Sequence, residues 1–479
     1  MKKLLLLSSC FIFSHLAMAQ PYGNEWINYN QKYLKVKVVT DGLYRIDFSA
    51  LYPHFLAMNV DTASFDPRNF QLFGHGQEQY IYVAGEDDGH FDPGDYLVFY
   101  AEHNDGWLDS LLYTSPAEQT NPYFSLITDT AAYYITWNSS TSNRRFEPHN
   151  DTQYSSYTAD TYYYAEVIEM KNQSYEYGAL GSSKKKDSYY TAGEGWLSNK
   201  FGYLGHQDYN ISTPGAYTGG PSANVSTVTV SLSDATQNPD HHLLIEFGPT
   251  YGSTAINTTY NGYQMNKFDF SIPPSQFGTT TKIRFNSASL VPAPASDYTA
   301  VAYVRVKYPH SYDMQGAQSA KMNINANSGK TYIKAVNFTS QPTYFLYDLT
   351  GHYRIQVVQN GTTVEALVPS GGEKELFLAC DAAINDLSAS DIIRAGNNGT
   401  LTNYALIDPD SAFIIISCDK LINEASIYST YRQSKGFNVV LINIDDDLYD
   451  QFSYGIAKHP LSIRGFADYV SDVWSTQPQ

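Results

Sequence analysis

The sequence predicts a mainly β protein that ends in a short α/β unit. Tyr occurs 42 times, Gly 32 times and Pro 21 times, while charged residues make up only 16% of the chain. Aromatic and β-branched residues that alternate with polar ones, broken often by Gly, Asn and Pro, are typical of antiparallel β-structure. The high aromatic content and low charge also argue against a disordered chain.

A first β domain is predicted at residues 20–148. Residues 33–38 alternate between apolar and polar side chains, and Asp41-Gly42 is a turn sequence. We therefore expect a hairpin in which residues 43–46 pair back on the first strand.

A β-sandwich domain is predicted at residues 149–312, followed by a small β domain at 313–409. The alternating segments of the first are residues 225–232, 242–247, 267–272, 281–285 and 300–308. Five strands at this spacing favour a two-sheet sandwich of jelly-roll type. The short strands expected in the second are residues 332–338, 344–348, 353–358, 363–368 and 375–379.

Residues 410–479 predict the start of a parallel α/β sheet. The predicted order is a strand at 411–418, a helix at 421–435, a strand at 437–444, an acidic turn, and a helix at 460–474. An apolar strand, a helix and a second apolar strand in succession are typical of parallel sheets. Sites in such sheets lie at the carboxyl ends of the strands.

Residues 1–19 are predicted to be a secretory signal peptide. Lys2 and Lys3 form its basic segment, an apolar stretch follows, and Ala17-Met18-Ala19 is a small-residue cleavage site. The apolar stretch is too short for a transmembrane helix. We therefore expect an exported protein, located in the periplasm, on the outer surface or outside the cell.

Charge and cysteine content exclude two classes of protein. A net charge of −18 opposes binding to nucleic acid phosphates. Only Cys380 and Cys418 remain after signal removal, whereas a disulfide scaffold needs more cysteines in a shorter chain. The two could pair in an oxidising compartment, but the apolar run before Cys418 favours buried free cysteine.

The C-terminal unit carries a set of motifs at defined spacing. They are Tyr431-Arg432, Gly436, Val439-Val440, the turn LYDQFSYG at 448–455, and Pro460 with Ile463-Arg464. This run resembles the start of the peptidase domain in gingipain-like cysteine peptidases. These are secreted enzymes of Bacteroidetes, and they include the sortase-like peptidase of the type IX secretion system. The N-terminal part is similar to the β domains that precede this peptidase, in segments such as 24–29, 41–46 and 89–96.

The resemblance implies a caspase-like sheet, protein or peptide substrates, and peptide-bond hydrolysis through a Cys thioester. The family's catalytic His and Cys follow later strands of that sheet, and this chain contains the first two strands. A cysteine peptidase needs a thiolate beside an imidazole. We therefore expect the N-terminal part of such an enzyme, truncated early in its peptidase domain. The chain is expected to contain no catalytic residue, to be inactive alone, and to have a secretion-system or cell-surface partner.

His75 and Cys418 are of the residue types that a cysteine peptidase uses, but we interpret both as structural. The family's catalytic His lies in a Gly-His-Gly, like Gly74-His75-Gly76, but here the motif joins two alternating segments, 70–73 and 80–83. We interpret it as the turn of a second hairpin, where Gly supplies a positive φ. Cys418 lies at the carboxyl end of a predicted strand, and its nearest candidate bases, Asp419 and His459, lie on other turns. We interpret Cys418 as a buried cysteine.

The acidic segment 86–95 contains the candidate metal ligands. Asp88, Asp92 and Asp95 are spaced to converge around one loop, and carboxylate oxygens suit Ca²⁺. The spacing is not that of an EF-hand, so a solvated acidic turn is the competing interpretation. The run Asp445–Asp447 is interpreted as a solvated turn, and no residue is predicted to bind another cofactor.

The sequence also allows a second class of function as an alternative to the peptidase. Tyrosines are frequent between residues 154 and 190, where they form either half-buried strand faces or an aromatic platform for sugars or peptides. The alternative function is a non-catalytic cell-surface module that binds glycans or proteins.

Overall fold

The computed structural model describes residues 22–178, 189–410 and 412–476, and its regular structure is mostly β-strand. The predicted signal peptide lies outside the described residues. The first part contains helix α1 (Phe48–Ala57) and strands β1 (Leu34–Val38), β2 (Gly42–Asp47), β3 (Phe70–Gly74), β4 (Gln77–Gln79), β5 (Ile81–Ala84), β6 (Tyr96–Ala101), β7 (Ala131–Trp137) and β8 (Glu147–His149).

The central part contains only strands and short 3₁₀ turns among its described residues. The strands are β9 (Tyr162–Met170), β10 (Ser174–Tyr177), β11 (Glu194–Leu197), β12 (Phe201–Gly202), β13 (His206–Ser212), β14 (Ala223–Ser231), β15 (His241–Phe247), β16 (Ser253–Tyr260), β17 (Met265–Ile272), β18 (Thr280–Ser287) and β19 (Tyr298–Ser311). The five segments predicted for the sandwich are confirmed as β14, β15, β17, β18 and β19.

The last part contains a second group of β-strands and then the α/β unit. Its elements are β20 (Ser319–Ile324), β21 (Thr331–Ala335), β22 (Tyr344–Asp348), β23 (Tyr353–Ile355), β24 (Val357–Asn360), β25 (Thr363–Val368), β26 (Lys374–Cys380), β27 (Asn385–Leu387), β28 (Ile392–Arg394), β29 (Ala412–Ser417), α2 (Ile422–Gln433), β30 (Asn438–Asn443), α3 (Tyr449–Phe452) and α4 (Leu461–Val473). The predicted mainly β fold with a C-terminal α/β unit is confirmed. Within the described residues, no helix has the length and apolarity that a bilayer span requires.

The first β region is a pair of facing sheets, ordered β28-β1-β7-β3-β4 and β27-β2-β6-β5. The predicted hairpin between β1 and β2 is therefore wrong, because the two strands lie in different sheets. Val36 of β1 and Ile46 of β2 both point into one apolar core, from opposite sides. The chain crosses from one sheet to the other between β1 and β2, so both strands bury their apolar faces in that core. This burial favours the arrangement over a hairpin.

The motif Gly74-His75-Gly76 forms a tight hairpin turn, as predicted. His75 has a φ of 51° and Gly76 a φ of 72°, the left-handed values of a two-residue hairpin loop. The turn pairs β3 with the short β4. The predicted partner segment 80–83 instead belongs to β5, which pairs with β6 in the facing sheet.

The rest of the β-structure is built on one long sheet, ordered β17-β14-β19-β9-β20-β26-β22-β23-β8, with β12 also paired to β19. The sheet β13-β18-β15-β16 covers one end of it over an apolar core that includes Ile245, Phe285 and Val304. The smaller sheet β21-β25-β24 covers a second core that includes Leu346 and Leu378. The long sheet continues across the predicted boundary between residues 312 and 313.

The C-terminal unit has the predicted strand, helix, strand and helix order. Strands β29 and β30 are parallel, with Ala412 opposite Asn438. Ile414 and Ile416 of β29 pack in a core with Phe466 and Val470 of α4. On the other side, the Phe413 ring contacts Tyr428 of α2.

The sandwich contains one buried charged cluster. The His241 ring lies 2.7 Å through Nδ1 from Asp297 Oδ1 and 3.6 Å through Nε2 from Asp240 Oδ1, and all three side chains are buried. Burial alone would lower the pKa of His241, but the hydrogen bonds to Asp297 and the Ser233 carbonyl, with both carboxylates, raise it above its usual value.

We expect the thermal stability of the sandwich to fall as the pH rises from 6 to 9. A raised folded pKa means that the imidazolium stabilises the fold fully below the unfolded pKa of about 6.5, and that this stability is lost as the pH passes through the folded pKa. The measurement is the unfolding midpoint against pH. The variant His241→Gln should show a flatter profile, while His206→Gln, at an exposed site in the same sandwich, should keep the original slope. Equal slopes in all three proteins would contradict the assignment.

Candidate functional site at the α/β unit and its docking face

The carboxyl ends of β29 and β30 lie side by side and carry polar residues. Asn443 Nδ2 donates to Asp419 Oδ1 and to Asp446 Oδ2, both at 2.7 Å. The Asp419 backbone N–H donates to Asp445 Oδ2 at 2.9 Å. The acidic segments that follow β29 and β30 are therefore hydrogen-bonded to each other at this edge of the sheet.

Cys418 lies at this edge as a half-buried free thiol, and Cys380 is a buried free thiol in β26. The candidate base His459 is engaged elsewhere. Its Nε2 lies 3.0 Å from Asp109 Oδ1, and its Nδ1 accepts from the Leu461 N–H at 3.3 Å. Because both ring nitrogens are occupied, His459 cannot take a proton from Cys418 in this conformation.

The motif at residues 448–455 docks on the outer face of the first sheet. Leu448, Phe452 and Ser453 are fully buried, although they belong to a turn and a one-turn helix. Leu448 and Phe452 pack in the core of the α/β unit itself, whereas Asp450 and Gly455 contact the sheet. The sheet face that they contact carries Lys35 of β1 and Tyr134 of β7, which are directly opposite each other in the strand register. The α/β unit and the first β domain therefore share a packed interface.

A buried ion pair lies at the centre of this interface. Lys35 Nζ lies 2.7 and 3.0 Å from the two carboxylate oxygens of Asp450, and Tyr134 Oη donates to Oδ1 at 2.8 Å. The Asp450 side chain is 1% exposed. Burial raises the pKa of Asp450, and the Lys35 ammonium and Tyr134 hydroxyl oppose that rise. Burial also raises the pKa of Tyr134.

A second buried pair connects the α/β unit to the segment after β6. The Asp109 carboxylate accepts from His459 Nε2, from Ser125 Oγ at 3.1 Å and from the Leu126 N–H at 2.6 Å. Three donors satisfy the buried carboxylate, so the contact is well suited to holding the start of α4 in place.

Two glycines allow the close approach of the docked surfaces. A Cβ on Gly465 would lie 2.3 Å from the Tyr22 carbonyl oxygen, and one on Gly455 would lie 2.3 Å from Tyr134 Oη. Gly455 also has a φ of 81°, which favours glycine. Any side chain at either position would push the α/β unit away from the first domain.

The interpretation of Asp445–Asp447 as a solvated turn is wrong for Asp447. Its side chain is buried and accepts from Tyr404 Oη and Gln451 Nε2. Gln451 in turn accepts from Tyr29 Oη at 2.8 Å. Burial raises the pKa of Asp447, and the bonds from Tyr404 and Gln451 oppose that rise. Asp447 belongs to the same polar interface as Asp450.

The predicted metal ligands lie in a turn between β5 and β6. Asp88 Oδ1 accepts from the His90 N–H at 2.9 Å, and Asp95 Oδ2 accepts from the Asp92 N–H at 2.8 Å. These bonds define local turns. Among the described residues, no group of three carboxylate, imidazole or thiol side chains is placed to hold a metal ion. Calcium binding at Asp88, Asp92 and Asp95 stays a prediction.

One family model and several solved structures match parts of this chain. Residues 407–479 match the model of peptidase family C25. The chain resembles the crystal structure of dimeric latent PorU from Porphyromonas gingivalis at 12% identity and a TM-score of 0.57. That match covers 92% of this chain and 40% of the PorU chain, so the chain spans less than half of that protein's length. At this identity the match shows a shared fold.

A weaker structural match is the K3 cleaved adhesin domain of Lys-gingipain from Porphyromonas gingivalis. It has 7% identity over 30% of this chain and 98% of that domain, with a TM-score of 0.19, too low to support an argument. No curated protein matches the chain.

We expect Lys35→Met to loosen the docking turn, because it leaves Asp450 buried without its cation. Removing one partner of a buried pair costs roughly 3–5 kcal/mol, which corresponds to amide exchange about a hundredfold faster or more. The measurement is hydrogen–deuterium exchange in peptides that cover residues 448–465. Lys37→Met, at an exposed site on the same strand, is the control and should leave exchange unchanged. Equal exchange in the two variants would show that the ion pair does not hold the turn.

Proposed function

We propose that this chain is the N-terminal part of an exported cysteine-type peptidase, because residues 407–479 match the model of peptidase family C25. The resemblance to gingipain-like peptidases is confirmed for this segment. In this proposal the β domains act as a scaffold that holds the start of the peptidase domain in a fixed position.

The observation that carries the proposal is the docking of residues 448–455 on the first β domain. The name C25 segment is used for residues 407–479, after the family model that they match. The Lys35–Asp450 pair and the Asp109–His459 pair lie in the interior, and each joins one residue of the C25 segment to one residue of the β scaffold. Buried charges need fixed partners, so these contacts define one orientation of the two units. A scaffold for a catalytic domain needs such an orientation.

The proposal assigns no catalytic role to the candidate His and Cys residues in the described part of the chain. The reaction needs a thiolate activated by an imidazole and N–H groups that stabilise the oxyanion. His459 is committed to Asp109, and His75 lies in a hairpin turn of the first domain. We therefore assign no catalytic role to either, nor to Cys418.

We expect residues 20–479 not to hydrolyse casein, with or without a thiol reductant. The measurement is the release of acid-soluble peptides, with an active cysteine peptidase as the positive control. Thiol-dependent hydrolysis that is abolished by Cys418→Ala would overturn the assignment.

We expect the coding sequence to continue past the codon for Gln479, in the same or a shifted frame. The continuation should encode a His and then a Cys after apolar strands. Nucleotide sequencing through this region tests the peptidase proposal directly. A stop codon followed by unrelated sequence would contradict it and favour a glycan- or protein-binding surface module.

We expect export to remove residues 1–19. Expression of the whole chain in a Gram-negative host should give a mature protein that begins at Gln20, as measured by N-terminal sequencing. A protein that retains Met1 would contradict the proposal of export.

A further inference from the structure

A groove runs along the free edge of β30, the second strand of the C-terminal unit. It encloses about 440 Å³, within the range of roughly 300–1,000 Å³ that small-ligand sites occupy. One side of the groove is the strand itself, at residues 440–443, and the other side is a wall formed by the segment that leads into the unit. The wall residues are Gly396, Asn397, Asn398, Thr402, Tyr404 and Ile407.

The backbone of β30 is hydrogen-bonded on one side. β30 pairs with β29 in a two-stranded parallel sheet. In such a pair every second residue of a strand directs its N–H and C=O toward the partner, and the residues between them direct theirs away. Among the described residues, no hydrogen bond apart from the pairing with β29 uses the backbone of residues 438–442. The groove is therefore lined by backbone donors and acceptors that have no partner within the described chain.

The strand lacks the features that usually protect an open edge. Such edges are commonly blocked by Lys, by Pro or by a β-bulge. β30 reads NVVLIN, contains no charged residue or Pro, and keeps an unbroken register with β29. Leu406, next to the wall residue Ile407, is 83% exposed. An unprotected apolar edge beside an exposed apolar side chain is typical of a surface that pairs with another strand.

A strand that follows α4 would lie at the opposite edge of this sheet. Tyr428 of α2 contacts Phe413 on one face, whereas α4 packs with Ile414 and Ile416 on the other. Crossover connections between parallel strands are right-handed, so helices on opposite faces lead in opposite directions across the sheet. Because α2 leads from β29 to β30, α4 leads back to the far side of β29. This step rests on the proposed longer chain, and it leaves the β30 edge open.

We propose that the β30 edge binds an extended peptide segment of another protein, which adds to the sheet as a further strand. In this mode of binding, main-chain hydrogen bonds supply affinity and alternate side chains supply selectivity. A strand rises about 3.3 Å per residue, so the groove residues of β30 face an extended segment of similar length. The groove is apolar near Ile407 and polar near Asn443 and Asp446, and it therefore suits a segment of apolar and hydroxyl side chains without Pro.

The wall of the groove is continuous with the interface that holds the C25 segment on the first β domain. Tyr404 of the wall donates to the buried Asp447, and Asn438 at the start of β30 donates through Nδ2 to the Asp408 carbonyl at 2.7 Å. These bonds hold the wall beside the strand, so the groove is formed before a ligand binds.

Other occupants fit this groove less well. The edge of a second folded copy would have to approach β30 past the wall, whereas a single extended chain fits between the wall and the strand. An anion would meet the carboxylates of Asp446 and Asp447. A metal ion needs several converging ligands, and the described residues form no such group.

The test is calorimetric titration of the mature chain, residues 20–479, with the peptide acetyl-Thr-Val-Thr-Val-Thr-amide. Two N-methylated forms are the matched ligands, one methylated on both valines and the other on all three threonines. A strand bound at one edge turns alternate N–H groups toward its partner. One methylated form should therefore bind about tenfold more weakly or less, because it loses at least two hydrogen bonds, while the other keeps the affinity of the parent peptide. No binding of the parent peptide, or equal affinities of the two methylated forms, would overturn the proposal.

Amide exchange shows where the peptide binds. We expect the peptide to slow hydrogen–deuterium exchange within residues 438–443 by about tenfold, because outward N–H groups of β30 gain acceptors. Slowing confined to residues 412–417 would place the added strand at the β29 edge and contradict the proposal. A stop codon after Gln479 would not change this readout, so its outcome is separate from that of the proposed function.

Two variants check the groove itself. Asn397→Trp introduces a large side chain at an exposed wall position, so it should fill the groove and abolish the slowing within residues 438–443. Asn360→Trp, at an exposed position in the sheet β21-β25-β24, is the matched control and should retain it. Equal slowing in the two variants, with unchanged circular dichroism spectra, would show that the peptide does not occupy the groove.

Discussion

The buried contact of Asp450 with Lys35 and Tyr134 is the constraint on which the arrangement of the C25 segment depends. A carboxylate withdrawn from water costs several kcal/mol unless a cation and hydrogen-bond donors replace the lost solvent. The docking turn can therefore occupy its place only where β1 and β7 have already brought Lys35 and Tyr134 together. The α/β unit depends in this way on the first β domain for its position.

The two faces of the α/β unit differ accordingly. The α4 side is held through buried side chains and the Asp109–His459 pair. The α2 side leaves Ile427 73% exposed and Leu421 57% exposed. Large exposed apolar side chains on one helix are typical of a surface that other protein covers. This asymmetry shows that the unit is anchored on its α4 side and that its α2 side is the more exposed one.

The first β domain borders both the C25 segment and the long sheet, and the two boundaries differ. The interface with the C25 segment is closed, and its charges are paired within it. The boundary with the long sheet contains a cleft, where strand faces carry charged residues such as Arg305 and Lys307 rather than apolar ones. Charged side chains are costly to pack against another domain, which explains why this boundary stays open to solvent.

The sequence by itself determined the local elements and the order of the C-terminal unit, because apolar periodicity and turn residues act over a few neighbouring positions. The strands of the sandwich and the parallel pair β29–β30 were predicted in this way. Which sheet β1 and β2 join, and the burial of Asp447 and Asp450, were decided only by the tertiary structure. Lys35 and Asp450 are 415 residues apart, and the sequence around each of them does not predict that they are in contact. A lone carboxylate in a turn is usually solvated, and only the surface folded against it makes it a buried charge.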